Sequence, residues 1–170
     1  SRLSNFATIA YQATTTSLTN TPGADLAADS YYWRIRATDS FGNAAVTATR
    51  TCTIDTSASV ALGTPTDNAI TNDTTPTFTW TGDGDTWTIQ VSRVANFATI
   101  ADQSTTVATN YTTSSYYGAD TYYWRVIARD IAGNTETSSA RLIVIDTSVS
   151  ATLSTPTDNV RTSDSTPSFT

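Results

Sequence analysis

The stretch TYYWRVIARD, from Thr121 to Asp130, contains three consecutive aromatic residues, and a near copy of it, SYYWRIRATD, stands at residues 30–39. The offset between the two copies is 91 residues. The same offset relates NFATIA, IDTS and TPTDN to second copies, no gap is needed from residue 1 to residue 170, and about half of the paired positions are identical. A fixed period of this kind is typical of repeat architectures. The sequence is therefore interpreted as one 91-residue unit that occurs slightly less than twice.

The pattern within the unit predicts β-strands. Alternate residues from Tyr122 to Ala128 share one face of an extended strand, and Trp87, Ile89 and Val91 do so in TWTIQVS. The segments TGDGDT and DIAGN place glycine, aspartate and asparagine between such runs, where turns need them. About seven short strands per unit, separated by turn signals, predict an all-β fold built as an antiparallel sandwich.

The repeat divides the chain into three predicted parts. Residues 1–56 hold the last five strands or so of one unit, residues 57–147 form a complete unit, and residues 148–170 begin the next. Neither terminal part is expected to close a core of its own. The simplest interpretation is that the 170 residues are a window from a longer array of tandem domains.

The composition offers little catalytic chemistry. The chain has no His, no Lys, no Met, one Cys and one Glu, so a Ser-His-Asp arrangement, a P-loop lysine and an ordinary zinc site are all excluded. The net charge of −6 argues against binding to a nucleic-acid backbone or to an anionic membrane surface. No apolar run approaches the roughly 18 residues that a membrane helix needs. We therefore expect no enzyme, no nucleic-acid partner and no membrane insertion in this segment.

The order of these motifs resembles the fibronectin type III-like and bacterial Ig-like tandem repeats of large microbial surface or secreted proteins. TPTFTW, WTIQVS, NFATIADQSTT, GADTYYWRVIARDIAGN and IDTS carry the resemblance, which covers the entire chain. It implies an Ig-like sandwich in an extracellular or cell-surface protein. Together with the aromatic strand itself, it gives a set of six expected core anchors: Trp33, Trp80, Trp87, Trp124, Tyr31 and Tyr122. The two tyrosines are also implied to tie down the adjacent corner of the chain.

Aromatic and cationic side chains outside the core are the candidate ligand contacts. Arg125 is expected to lie beside Tyr123 on the face opposite Trp124, either as a carbohydrate platform or as an arginine stacked on a tyrosine. Tyr116 and Tyr117 have no counterpart in the first copy and lie in a predicted loop. They are the candidates for recognition of a glycan, with a small hydrophobic cluster as the alternative.

Acidic residues near the repeat boundary are the candidate metal ligands. Asp55 and Asp67 lie at the first boundary, and Asp146 and Asp158 at the second. Since Ca²⁺ takes carboxylate and carbonyl oxygens, these residues form a candidate site that would stiffen the junction. The aspartates of TGDGDT invite the same interpretation, although Asp-Gly pairs are also ordinary turn formers.

Three further residues attract attention. Asn72 in NDT and Asn110 in NYT match the pattern for N-linked glycosylation, although neither match recurs in the other copy. Cys52 corresponds to Ile143 in the repeat and is expected to be a small apolar residue on a buried face.

These observations favour a structural repeat region of an extracellular filament, stalk or adhesin, in which spacer domains stack end to end. Its partners would be neighbouring repeats of the same chain, or identical chains that complete one another's terminal parts. The alternative is a glycan- or ligand-binding module of an adhesin or of a secreted carbohydrate-active enzyme. No cofactor is expected, calcium apart.

Overall fold

The computed structural model describes all 170 residues and contains only β-strands, turns and loops. The first part of the chain holds β1 (Asp29–Trp33), β2 (Arg36–Thr38), β3 (Ala44–Val46) and β4 (Arg50–Ile54). The rest holds β5 (Val60–Leu62), β6 (Ala69–Thr71), β7 (Thr77–Gly82), β8 (Thr86–Ser92), β9 (Asp102–Thr106), β10 (Asn110–Thr112), β11 (Asp120–Arg129), β12 (Thr135–Thr137) and β13 (Arg141–Ile145). The all-β prediction is confirmed.

Strands β5 to β13 form two sheets that pack face to face. One sheet has the order β10-β7-β5, and the other has the order β6-β13-β11-β8-β9 with β12 paired to β11. All pairs are antiparallel except β6 with β13. A cluster of 12 buried residues fills the space between the sheets, so this region is a β-sandwich. It contains nine short strands where the sequence predicted about seven.

The pairing of β11 with β8 fixes which side chains enter the core. It sets Trp124 opposite Val91 and Ala128 opposite Trp87. Because side chains alternate along a strand, these residues all point to the same side of the sheet, and all are buried. From the facing sheet, the ring of Phe78 packs against that of Trp124 with centroids 5.0 Å apart.

Residues 1–56 form a smaller version of this arrangement. β1 pairs with β4, and β2 pairs with β3. In the repeat register β1 and β2 together occupy the positions of β11, but the strand is interrupted at Arg34 and Ile35. The cause is the lack of a neighbouring strand: β11 pairs with β8 along seven residues, whereas only Ser1 bonds to the corresponding edge, through the backbone of Tyr32.

Trp33 corrects one prediction from the sequence. It was expected to be a core anchor like Trp124, but it is 44% exposed, whereas Trp124 is fully buried. The reason is that no second sheet covers β1 in this part of the chain. Cys52 is exposed for the same reason, although Ile143 at the equivalent position is buried.

Residues 148–170 contain no assigned strand but repeat part of the backbone pairing of the complete unit. Thr170 N donates to Thr155 O (3.0 Å), as Thr79 N donates to Thr64 O (2.7 Å). Phe169, the counterpart of buried Phe78, is 78% exposed. The division of the chain at residues 56 and 147 stays a prediction.

Candidate functional site

The predicted core anchors of the complete unit lie inside the sandwich and away from any solvent-facing site. Trp80, Trp87, Trp124 and Tyr122 are at most 2% exposed. The indole N–H groups of Trp80 and Trp124 have no hydrogen-bond partner. These rings therefore act through packing, since at this level of burial no ring face is open to a ligand.

Tyr122 closes the corner before β11 in the way that the resemblance implied. Its hydroxyl donates to the Gly118 carbonyl (3.3 Å) and accepts a bond from Arg93 Nη2 (3.3 Å). The guanidinium of Arg93 is in turn 3.3 Å from the carboxylate of Asp120. The first copy repeats the arrangement, because Tyr31 is 6% exposed and its hydroxyl donates to Ala27 O (3.0 Å).

The two candidate recognition tyrosines are placed very differently. Tyr116 is 84% exposed, in the loop between β10 and β11. Tyr117 is buried, stacks on Tyr122 with centroids 4.7 Å apart, and donates to Asp102 Oδ2 (2.9 Å). Burial raises the pKa of the Tyr117 phenol far above its usual range, and the bond to Asp102 raises it further. The prediction of Tyr117 as a ligand contact is therefore wrong, since the ring belongs to the core.

Arg125 stacks on a different ring from the one predicted. Its guanidinium carbon lies 4.1 Å from the centroid of Phe97, and its Nε donates to Gln90 Oε1 (2.9 Å). In the first copy Arg34 lies 4.0 Å from Phe6 in the same manner. The stack is thus a repeated feature of the unit. A shallow surface depression nearby, of about 510 Å³, is lined by residues 93–96, Ala98, Thr99 and Tyr123 and includes neither Tyr116 nor Tyr117.

The four candidate calcium ligands do not converge. No group of three or more acidic, His or Cys side chains that could hold a metal occurs in the chain. Instead, Asp55 Oδ1 accepts from Ser57 N, and Asp146 Oδ1 accepts from both the N and the Oγ of Ser148. Asp67 Oδ1 accepts from the backbone of β13, and Asp158 contacts the neighbouring Asn159 side chain. These carboxylates act as local acceptors for the chain that surrounds them.

The end of the sandwich where the chain enters carries a set of contacts that sequence reasoning missed. We call residues 55–59 the connector, since they join β4 to β5. The Asp83 carboxylate accepts bonds from the N and the Oγ of Ser59, at the C-terminal end of the connector. Asn134 Nδ2 donates to the Asp55 carbonyl (3.1 Å), at its N-terminal end. The connector is thus held at both ends, by two different loops.

The loops that hold the connector are also tied to each other. Asp85 Oδ2 accepts from Ile131 N (2.7 Å), which joins the β7–β8 loop to the β11–β12 turn. Within that turn Asn134 Nδ2 donates to Asp130 Oδ2 (2.7 Å). This bond, followed by bonds from backbone amides, lowers the pKa of the Asp130 carboxyl. The aspartates of TGDGDT therefore serve as hydrogen-bond acceptors for the connector and for the β11–β12 turn.

The remaining candidate positions are on the surface. Asn72 and Asn110 are both exposed, Asn110 as the first residue of β10. The chain forms no helix with the length and apolar character that crossing a membrane requires.

Comparison with known protein families identifies the family to which the β-sandwich belongs. The family model of the bacterial Ig-like domain matches residues 58–147, slightly more than half of the chain. The chain belongs to the bacterial Ig-like domain family. A search of curated proteins finds no significant match.

Membership in the bacterial Ig-like domain family confirms the resemblance derived from the sequence. Bacterial Ig-like domains are a non-catalytic domain type that typically occurs in surface proteins, where they have structural or adhesive roles. As an Ig-like fold hosts many functions, the family assignment fixes the architecture and leaves the specific role to the features of this chain.

Proposed function

We propose that this chain is part of a structural stalk or filament outside the bacterial cell, in which Ig-like repeats act as spacer domains stacked end to end. Its partners are neighbouring repeats of the same chain. In this proposal it performs no catalysis, binds no nucleic acid and does not insert into a membrane.

The observation that carries the proposal is the position of the chain entry and exit on the complete unit. β5 begins at Val60, opposite Gly82, beside the β7–β8 loop. β13 ends at Ile145, opposite Asp120, at the other end of β11. Since β11 has ten residues, entry and exit are separated by about 30 Å, at about 3.3 Å per residue. Entry and exit at opposite ends of the unit support a linear arrangement of successive units.

The chemistry of the surface supports the same role. Several strand-to-strand contacts on the outer surface join uncharged groups, such as Thr88 Oγ1 with Thr105 Oγ1 (2.9 Å) and Gln90 with Gln103 (2.8 Å). The net charge of −6 favours repulsion between neighbouring arrays. A surface of this kind suits a spacer that must stay extended and separate.

The experiment that tests the proposal measures length against copy number. Arrays of one, two, four and eight 91-residue units should grow in maximum dimension by a constant increment of about 30–40 Å per unit in small-angle X-ray scattering, given strands of this length. An increment that shrinks as units are added would show that the repeats fold back or move independently, and it would contradict a stalk.

Glycan binding is the second candidate function, because Tyr116 is 84% exposed and the depression beside Tyr123 is lined in part by Arg93. In this case glycan-array binding would disappear in Tyr116→Ala or Tyr123→Ala while the fold is retained. Tyr117→Ala is unsuitable for this test, since the Tyr117 ring is part of the core.

A further inference from the structure

The contacts at the entry end of the sandwich point to a specific interaction between the repeat and the connector that precedes it. We propose that the β7–β8 loop and the β11–β12 turn form a clamp that binds the connector in one fixed path, so that the preceding repeat is joined without a flexible linker. We define the clamp by Asp83 and Asn134. This inference rests on the proposed end-to-end array and adds the surface and the partner segment that set its stiffness.

The first argument is that the connector has no free length. β4 ends at Ile54, and the carbonyl of the next residue, Asp55, already accepts a bond from Asn134 Nδ2. At the other end, Ser59 is bound by Asp83, and β5 begins at Val60. Every connector residue therefore lies between two fixed points, and no unbound residue separates β4 from the clamp.

The second argument is that the connector is shaped for this path before it is bound. Ser57 N donates to Asp55 Oδ1 (3.2 Å) and forms a local turn. The next copy of the segment makes the same bond, from Ser148 N to Asp146 Oδ1 (3.0 Å). Since the turn forms in a segment with no clamp beside it, it is a property of the IDTS sequence. Less conformational freedom is then lost when the connector binds.

The third argument is that the connector passes so close to β7 that one position of β7 must be glycine. Gly82 lies opposite Val60 with φ +153°, and a Cβ atom there would lie 2.1 Å from the Ser59 carbonyl oxygen. The same atom would lie 2.8 Å from the Trp87 ring. Only glycine allows the connector to pass this close to β7.

The first copy provides a matched control. Asn43 makes the same bonds within its turn as Asn134, with Asn43 Nδ2 donating to Asp39 Oδ2 (2.8 Å). It makes no bond to a connector in this chain. Replacing Asn43 therefore reports the local cost of losing the turn bond, and replacing Asn134 reports that cost together with release of the connector.

The test is backbone ¹⁵N relaxation of residues 55–59 in the 170-residue chain and in Asn134→Ala, Asp83→Ala and Asn43→Ala. In the parent and in Asn43→Ala, order parameters of the connector should be about 0.85, as for rigid backbone, and in the two clamp variants they should fall below about 0.6. Unchanged core chemical shifts in Asp83→Ala establish that the fold is intact, should Asn134→Ala disturb its own turn.

Two results would overturn the clamp: order parameters of the connector already low in the parent, or values that stay high in Asp83→Ala and in the Asp83→Ala/Asn134→Ala double variant. Either result is distinguishable from failure of the proposed function. Repeats with a mobile connector can still be held in line by contacts between the faces of successive sandwiches, whereas repeats that fold back elsewhere leave the local order of the connector unchanged.

Discussion

At the scale of single residues, the two copies keep one side-chain contact between equivalent positions but make it with different residue types. In the complete unit, the hydroxyl of Tyr111 donates to Asp102 Oδ2 (3.0 Å) between β9 and β10. At the equivalent positions of the first copy, Asn20 Nδ2 donates to the hydroxyl of Tyr11 (2.9 Å). The third member, Tyr117, has leucine as its counterpart. The bonds from Tyr111 and Tyr117 to Asp102 are therefore explained by their contribution to the stability of the fold, and no ligand is needed to explain them.

Tyr117→Phe should lower the free energy of unfolding by about 1.5–3 kcal/mol, because the half-buried Asp102 carboxylate loses one of its two phenol donors. The fold-stabilising effect of this phenol depends on pH. Its pKa is raised in the folded state, so the stabilisation is fully present below the unfolded pKa of about 10 and is lost as pH rises through the folded pKa. Urea denaturation at pH 8 and pH 11 should show a smaller alkaline loss in Tyr117→Phe than in the parent. Tyr116→Phe, at an exposed position, should match the parent at both values, and an equal effect of the two variants would contradict the assignment.

The tryptophan pair offers a comparison in which sequence context is nearly constant and burial differs. Trp124→Ala should cost roughly 3–5 kcal/mol, the usual cost of removing a fully buried large ring. Trp33→Ala should cost less than about 1 kcal/mol, because Trp33 is 44% exposed. Circular dichroism in urea measures both. Equal costs would show that another surface covers Trp33.

At the scale of elements, the sequence predicted the strands better than the loops for a physical reason. Alternation along β11 is local information, and it correctly placed alternate residues from Tyr122 to Ala128 on the core face. The connection between Asn134 and Asp55 joins residues far apart in the chain and has no local signal. The burial of Tyr117 depends likewise on Asp102, on another strand. The repeat gave a wrong prediction for Trp33, which has the sequence context of the core anchor Trp124 but lacks the sheet that would cover it.

The β7–β8 connection should be sensitive to the smallest substitution. Gly82→Ala places a methyl group against the Ser59 carbonyl and the Trp87 ring at a positive φ, so we expect a loss of about 1–3 kcal/mol or more. Gly118→Ala is the matched control, because nothing lies within 4 Å of an added Cβ there. It should be neutral or slightly stabilising. Thermal unfolding of the two variants compares them directly, and a Gly82→Ala chain as stable as the parent would show that the connector does not pass this close.

At the scale of the whole molecule, stability is concentrated in one of the three parts. All 12 residues of the core cluster lie between Phe78 and Ile145. The first part contributes two separate strand pairs, and residues 148–170 contribute no strand. In repeat proteins the stability of an array is approximately the sum of the stabilities of its units and of their interfaces. A chain with one closed core should therefore unfold as one cooperative unit with less stable flanking segments.

This distribution predicts the result of truncation. Residues 55–147 alone should fold and keep the urea midpoint of the 170-residue chain, because they retain the core cluster, both sheets and the connector with its clamp. Residues 60–147 should unfold at a lower urea concentration, since the bonds that join Asp83 and Asn134 to the connector are lost, each worth about 0.5–1.5 kcal/mol.

If the longer fragment failed to fold, or lost most of its stability, residues 1–54 or 148–170 would have to cover the core. If the two fragments were equally stable, the connector would be a passive link, and the stiffness of the array would have to come from contacts between the faces of successive sandwiches.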